Sequence, residues 1–115
     1  MRLRSGIWIQ AYIWKCSSHG LPVTVARRGD DVAGAIYIKV NLLDGNVRLY
    51  GPALPSLDSE QTDRRWSPCL GPDAVAEPEA DAYLSRQAEF DGDIWVLEVE
   101  DRHGRHLLDE WLTGN

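Results

Sequence analysis

The most constraining stretch of the chain is AIYIKVNLLDGNVRLYG, residues 35–51. Two runs rich in β-branched and aromatic residues flank Asp44-Gly45, a dipeptide that tolerates the positive φ angles of a tight type I′ turn. With those two residues as the loop, Leu43 faces Asn46, Leu42 faces Val47, Val40 faces Leu49 and Lys39 faces Tyr50. A strand sends alternate side chains to opposite faces. This pairing therefore gathers Ile36, Ile38, Val40, Leu42, Val47 and Leu49 on one face, and Tyr37, Lys39, Asn41, Arg48 and Tyr50 on the other. An antiparallel sheet with one apolar and one polar face is expected.

The flanking segments supply the rest of the layers. Ser5 and Gly20 bracket a helix to about Ser18, Ser5 as a side-chain cap and Gly20 as the left-handed exit. At 100° per residue, Trp8, Ile9, Tyr12, Ile13 and Cys16 form a broad apolar arc, and Ile7, Ala11 and Trp14 fall on the opposite side. The same residues also alternate as a strand would, but the bracketing favours helix. Val23 to Arg28 reads as a strand turning through Gly29-Asp30-Asp31 into the hairpin, with Val23 and Val25 on the buried face and Arg27 pointing to the core side. Residues Pro52 to Asp63 have loop composition, and Arg65 to Leu70 form an edge strand with Trp66 and Leu70 on one side, limited by Pro68. After a second loop to Ala76, Pro78 opens an amphipathic helix to about Glu89 that presents Ala80, Tyr83, Leu84, Gln87 and Ala88. In the last strand, Ile94 to Glu100, Trp95, Leu97 and Val99 point inward, and HLLDEWL closes the chain with one helical turn or two. The fold class is thus α+β: a mainly antiparallel sheet of four to five strands with two helices, in the order α-β-β-β-β-α-β plus a short C-terminal turn. One domain spans residues 1–115.

Charge narrows the functional classes. A formal charge of −6 and a pI near 4.9 make nucleic acid an unfavoured partner, because phosphate contact needs a basic surface. No run approaches the roughly 18 apolar residues of a membrane span, and the N-terminal segment lacks a small-residue cleavage site. A cytoplasmic protein without membrane association is expected, with Cys16 and Cys69 reduced and no cofactor.

The segments IWIQAYIWKC, ARRGDDVAGAIYIKVNLLDG and AYLSRQAEFDGDIWVLEVEDRHGRHLLDE together resemble a family of small bacterial proteins, domain of unknown function family 1491. The resemblance implies a single-domain bacterial protein and carries over no catalytic residues.

Three groups of side chains are candidates for function. The polar sheet face brings Arg28, Tyr37, Lys39, Arg48 and Tyr50 together, a mixture of cations and rings suited to an anion or a stacked base. Cross-strand pairing with Glu98 and Glu100 is the simpler use of the same charges. Near the C-terminus, Asp101, His103 and His106 are possible metal ligands within an acidic cluster from Asp91 to Asp109, the basis for a metal-assisted or acid-base enzyme. Gly104 between the histidines and the absence of zinc-type spacing weigh against it. Lastly, five tryptophans in 115 residues, with Trp8, Tyr12 and Trp14 on a helix apolar on both sides, point to a contact surface. A non-catalytic binding or self-association module, docking a second copy or another protein, is the leading expectation.

Overall fold

The IWVLEV run of the last strand is apolar on both faces, and such a strand belongs in the middle of a covered sheet. The computed structural model, which describes residues 3–53 and 64–112, places it there. Helix α1 (Ser5–Ser18) precedes strand β1 (Val23–Arg27), the hairpin β2 (Ile36–Asn41) and β3 (Asn46–Pro52), and two short strands, β4 (Trp66–Pro68) and β5 (Val75–Ala76). Helix α2 (Glu77–Phe90), strand β6 (Trp95–Glu100) and a 3-10 turn at Asp109–Trp111 follow. Among the described residues the sheet has six strands, ordered β1-β6-β2-β3-β4 with β5 also on β3. The class is α+β and mostly antiparallel, as the sequence predicts. It is mixed because β6 runs parallel to β2.

Strand β1 does not lie beside β2. It pairs antiparallel with β6, and its largely exposed side chains occupy the sheet edge. Val23 and Val25 do share a face with Val99 and Leu97, but an irregularity between Val25 and Arg27 breaks the alternation. Arg27 thereby comes opposite Val96 instead of pointing into the α1-side core. The β1–β2 connection must pass the start of β6, where the Asp30 amide donates to the Asp93 carbonyl (2.9 Å) and the Trp95 amide to that of Ala35 (2.7 Å). A Cβ on Gly29 or Gly34 would collide with the Asp93–Ile94 backbone or the Asp93 carbonyl, neither of which can rotate away. Gly34→Ala is accordingly expected to cost about 1–3 kcal/mol, read as a lower urea midpoint at unchanged slope.

The hairpin forms, but its register is one residue away from the type I′ expectation. The partners are Ile38 with Tyr50, Lys39 with Leu49, Val40 with Arg48 and Asn41 with Val47. Leu43, Asp44 and Gly45 make a three-residue connection, with Leu43 at φ 64 and Gly45 at φ 90. Side chains hold it: Asn41 Oδ1 accepts the Leu43 amide (2.8 Å), and Asp44 Oδ1 the Asn46 amide (3.0 Å). A one-residue slip exchanges the faces of every β3 side chain. Tyr50 and Arg48 therefore share a face with Ile36, Ile38 and Val40, and Leu49 and Val47 with Tyr37 and Lys39.

Both faces of the sheet are covered. On the α1 side, Trp8, Ile9, Tyr12 and Cys16 pack with Ile38, Val40, Leu97, Val99, Trp66 and Leu108. On the α2 side, Leu84 packs with Tyr37, Leu49, Ile94 and Val96. Trp66 and Leu70 fall in opposite layers, against the shared side expected for them. Strand β4 is nevertheless an outer strand of the sheet, and β5 occupies part of the expected second loop. Of the loop read over 52–63, residues 54–63 lie outside the described residues.

Candidate functional site

Helix α1 begins against the β1–β2 connection. The Ser5 amide donates to the Val32 carbonyl (3.1 Å) and that of Gly6 to Asp31 (2.9 Å), so main-chain oxygens satisfy amides that a helix start leaves open. Ser5 is the first helical residue and not the side-chain cap expected of it. Its buried hydroxyl donates to the Gly34 carbonyl (2.6 Å) and accepts from Arg64 Nη2 (3.0 Å).

The two sides of α1 have different fates. Trp8 stacks on Tyr12 (4.9 Å between centroids) and packs on Trp66 (4.5 Å), and the Tyr12 hydroxyl donates to the His106 carbonyl (2.7 Å). Burial pushes the Tyr12 phenol far above its ordinary range. Trp8 and Tyr12, candidates for a contact surface, are therefore core residues. Trp14 is not. It is 75% exposed on the outer side, and Ile7 and Leu3 are each 49% exposed. Ile7, Ala11 and Trp14 follow the i, i+4, i+7 spacing of one helix face and carry no charge. Lys15, the only charged residue of the helix, is drawn toward its own chain: its ammonium lies 4.9 Å from the Trp111 ring and 4.0 Å from Glu110.

The five residues expected on one polar sheet face are divided. Tyr37 and Lys39 face α2, whereas Tyr50 is buried in the α1-side core with Arg48 at its margin. The Arg28 guanidinium lies 5.3 Å from the ring of Trp95, a residue of that same α1-side core. Lys39 is buried, its ammonium held by Glu77 (2.9 Å), Asp81 (3.0 Å) and Glu98 (3.3 Å). The Glu98 contact is the cross-strand pair expected from sequence. A groove of about 470 Å³ runs between α2 and the β1 end of the sheet over Lys39, Arg27 and Val96. Three carboxylates already neutralise Lys39 on its floor, so that ammonium offers no attraction for an anion.

The C-terminal candidates do not converge either. The Asp101 carboxylate is clamped by Arg105, through the backbone amide (2.7 Å), Nε (3.1 Å) and Nη2 (3.1 Å), and these bonds hold its carboxyl below the usual range. His103 is exposed, and His106 turns its Nδ1 to its own backbone, accepting the Leu108 amide (2.9 Å). Among the described residues, no three His, Cys, Asp or Glu side chains are placed to hold a metal ion. Cys16 and Cys69 are free thiols, and burial pushes Cys69 up to about 11. Sequence reasoning missed the carboxylate cage around Lys39. Of its three members only Glu98 was anticipated; the four-residue spacing of Glu77 and Asp81 on α2 was the signal for the other two.

No curated protein matches the chain. Solved structures do. A DUF1491 family protein from Caulobacter crescentus CB15, determined by crystallography, is 40% identical with a TM-score of 0.79, over 99% of this chain and 100% of that one. An NMR structure of a DUF1491 family protein from the same organism gives 39% identity and a TM-score of 0.78, over 99% of both chains. The solution structure of a protein from A. tumefaciens is 36% identical with a TM-score of 0.74, over 87% of this chain and 86% of that one. The family described as "Protein of unknown function (DUF1491)" matches residues 3–109, and the chain belongs to it.

Proposed function

We propose that the protein is a non-catalytic module that associates with a second copy of itself through the outer face of α1. The supporting observation is Trp14, 75% exposed on a helix whose opposite face is fully packed. An indole left in water costs solvation free energy that a contact would recover. The ridge is close to palindromic: Ile7 and Trp14 lie equally far from the midpoint between Gln10 and Ala11. A two-fold axis there sets two helices antiparallel, each Trp14 against the other copy's Ile7, with small Ala11 side chains at the crossing. No like charges meet, because the ridge has none.

Area sets the strength. Trp14, Ile7 and Leu3 present about 300–400 Å² of apolar surface, within the range of functional patches. Two such patches bury roughly 600–800 Å², less than the ~1,200 Å² of a standard stable interface. The dimer is therefore reversible, with a Kd of about 10 μM to 1 mM. Sedimentation equilibrium over that concentration range should show a monomer–dimer equilibrium. Trp14→Ser should weaken it at least tenfold and leave folding stability within about 0.5 kcal/mol, since the side chain is exposed. A protein that stays monomeric to about 1 mM, or a dimer that survives Trp14→Ser, overturns the reading.

A further inference from the structure

The C-terminal segment from Leu107 to Leu112 closes the aromatic core from outside. Leu108 is fully buried, Trp111 packs on Trp8 (6.0 Å) and Trp66 (6.4 Å), and Leu112 forms a parallel bridge with Trp66. The turn that directs it inward is made by a side chain. His106 Nδ1 accepts the Leu108 amide at 2.9 Å, and Leu107 between them is held at φ 56, a conformation disfavoured for a branched residue. The ring is fixed against Tyr50 (4.8 Å, edge-on), and its backbone carbonyl takes the Tyr12 hydroxyl.

We propose that residues 107–112 form a strap latched by the neutral imidazole of His106, and that protonation of this ring unlatches it. An Nδ1 that accepts an amide carries no proton, so the proton of the neutral ring sits on Nε2. Adding the second proton turns the acceptor into a donor aimed at another donor, and leaves the Leu108 amide without its partner in a buried turn. The groups facing the ring come from three elements. Asp109 on the strap favours the cation and Arg48 on β3 opposes it; the Tyr50 ring of β3 lies edge-on to it, and the Tyr12 hydroxyl of α1 is held by the His106 carbonyl. Burial is the largest influence and places His106 below the usual histidine range. In the unfolded chain the ring takes its proton at about 6.5, so the unfolded or unlatched form binds more protons between there and the depressed folded value. The latch is complete above about pH 7, weakens as pH falls through that window, and loses no more below it.

The test is amide hydrogen exchange by NMR from pH 7.5 to 5.0, corrected for intrinsic rates, with Ile38 of β2 as reference. Protection at Leu108 is expected to fall severalfold while Ile38 holds. In His106→Asn, the amide oxygen accepts the same residue i+2 amide at every pH, so Leu108 protection should no longer depend on pH. Unchanged Leu108 protection in the wild type, an equal fall at Ile38, or the same fall in His106→Asn would each overturn the proposal.

Discussion

Trp66→Ala is expected to lower the unfolding free energy by about 3–5 kcal/mol, the cost of emptying an aromatic site in a packed core. Trp66 is 2% exposed and its ring contacts both Trp8 and Trp111, so it is an integral part of the α1-side aromatic cluster. It also performs polar work, since its Nε1–H donates to the Ile36 carbonyl at 2.9 Å in a buried setting. That bond ties the outer strand β4 to β2 across β3. Alanine removes both the volume and the donor. A domain of this size has only about 5–15 kcal/mol in total, so the variant sits near the edge of folding and its Tm should drop by roughly 10–25 °C. Trp66→Phe separates the two contributions: it keeps most of the packing and orphans the carbonyl, for a loss of about 1–3 kcal/mol. Urea unfolding followed by circular dichroism measures both. A loss below about 1.5 kcal/mol for the alanine variant would mean that the cluster can collapse around the vacancy, against the packing described.

The hairpin illustrates what could be read from the sequence and what could not. Its strands, its turn region and the alternation along β2 were legible, because β-branched residues and Asp44-Gly45 are local signals. The register was not, because alternation discriminates between registers only when one face is solvated. With helices on both faces, Val47 and Leu49 are equally at home on either, and the choice falls to the Asn41 and Asp44 side chains that close a three-residue loop. The apolar arc of α1 and the place of Trp14 on its opposite side were legible from helical periodicity alone. The assignment of Trp8 and Tyr12 to the core instead of a partner was not, since it depends on Trp66 and Trp111 arriving from 54 or more residues away in sequence. Likewise, the central place of β6 followed from its two apolar faces only in retrospect. The turn at Gly29-Asp30-Asp31 suggested direct β1–β2 pairing, and nothing local tells a tight reversal from a loop that steps over another strand.

Lys39→Met is the second large effect expected, and the register explains why. Placed opposite Leu49 and beneath α2, the lysine cannot reach water without Glu77, Asp81 and Glu98 gathered around it. Burial by itself would push the ammonium down, but the hydrogen bonds to Glu77 and Asp81 and the charge of Glu98 outweigh it and hold the group above its ordinary range. Methionine fills the space of the stem and leaves three carboxylates facing one another without a cation. Removing one member of a fully buried pair costs about 3–5 kcal/mol. Here the carboxylates retain partial access to water, Asp81 most of all with a side chain 55% exposed, which lowers the expectation to about 2–4 kcal/mol at pH 7. Glu98→Gln should cost about 1 kcal/mol or less, because two anions remain on the lysine and the amide can still accept from Asn41. The pH dependence separates charge from packing. The unfolded lysine loses its proton near 10.4 while the folded one keeps it, so the wild-type contribution is full below that pH and declines as pH rises through the raised folded value. In Lys39→Met the deficit should instead shrink in acid, where the loss of negative charge relieves the repulsion. Urea midpoints from pH 3 to 11 for both proteins provide the check. Equal stability at pH 7, or a deficit unchanged at pH 3, would show that the cage contributes through packing and not through its charges.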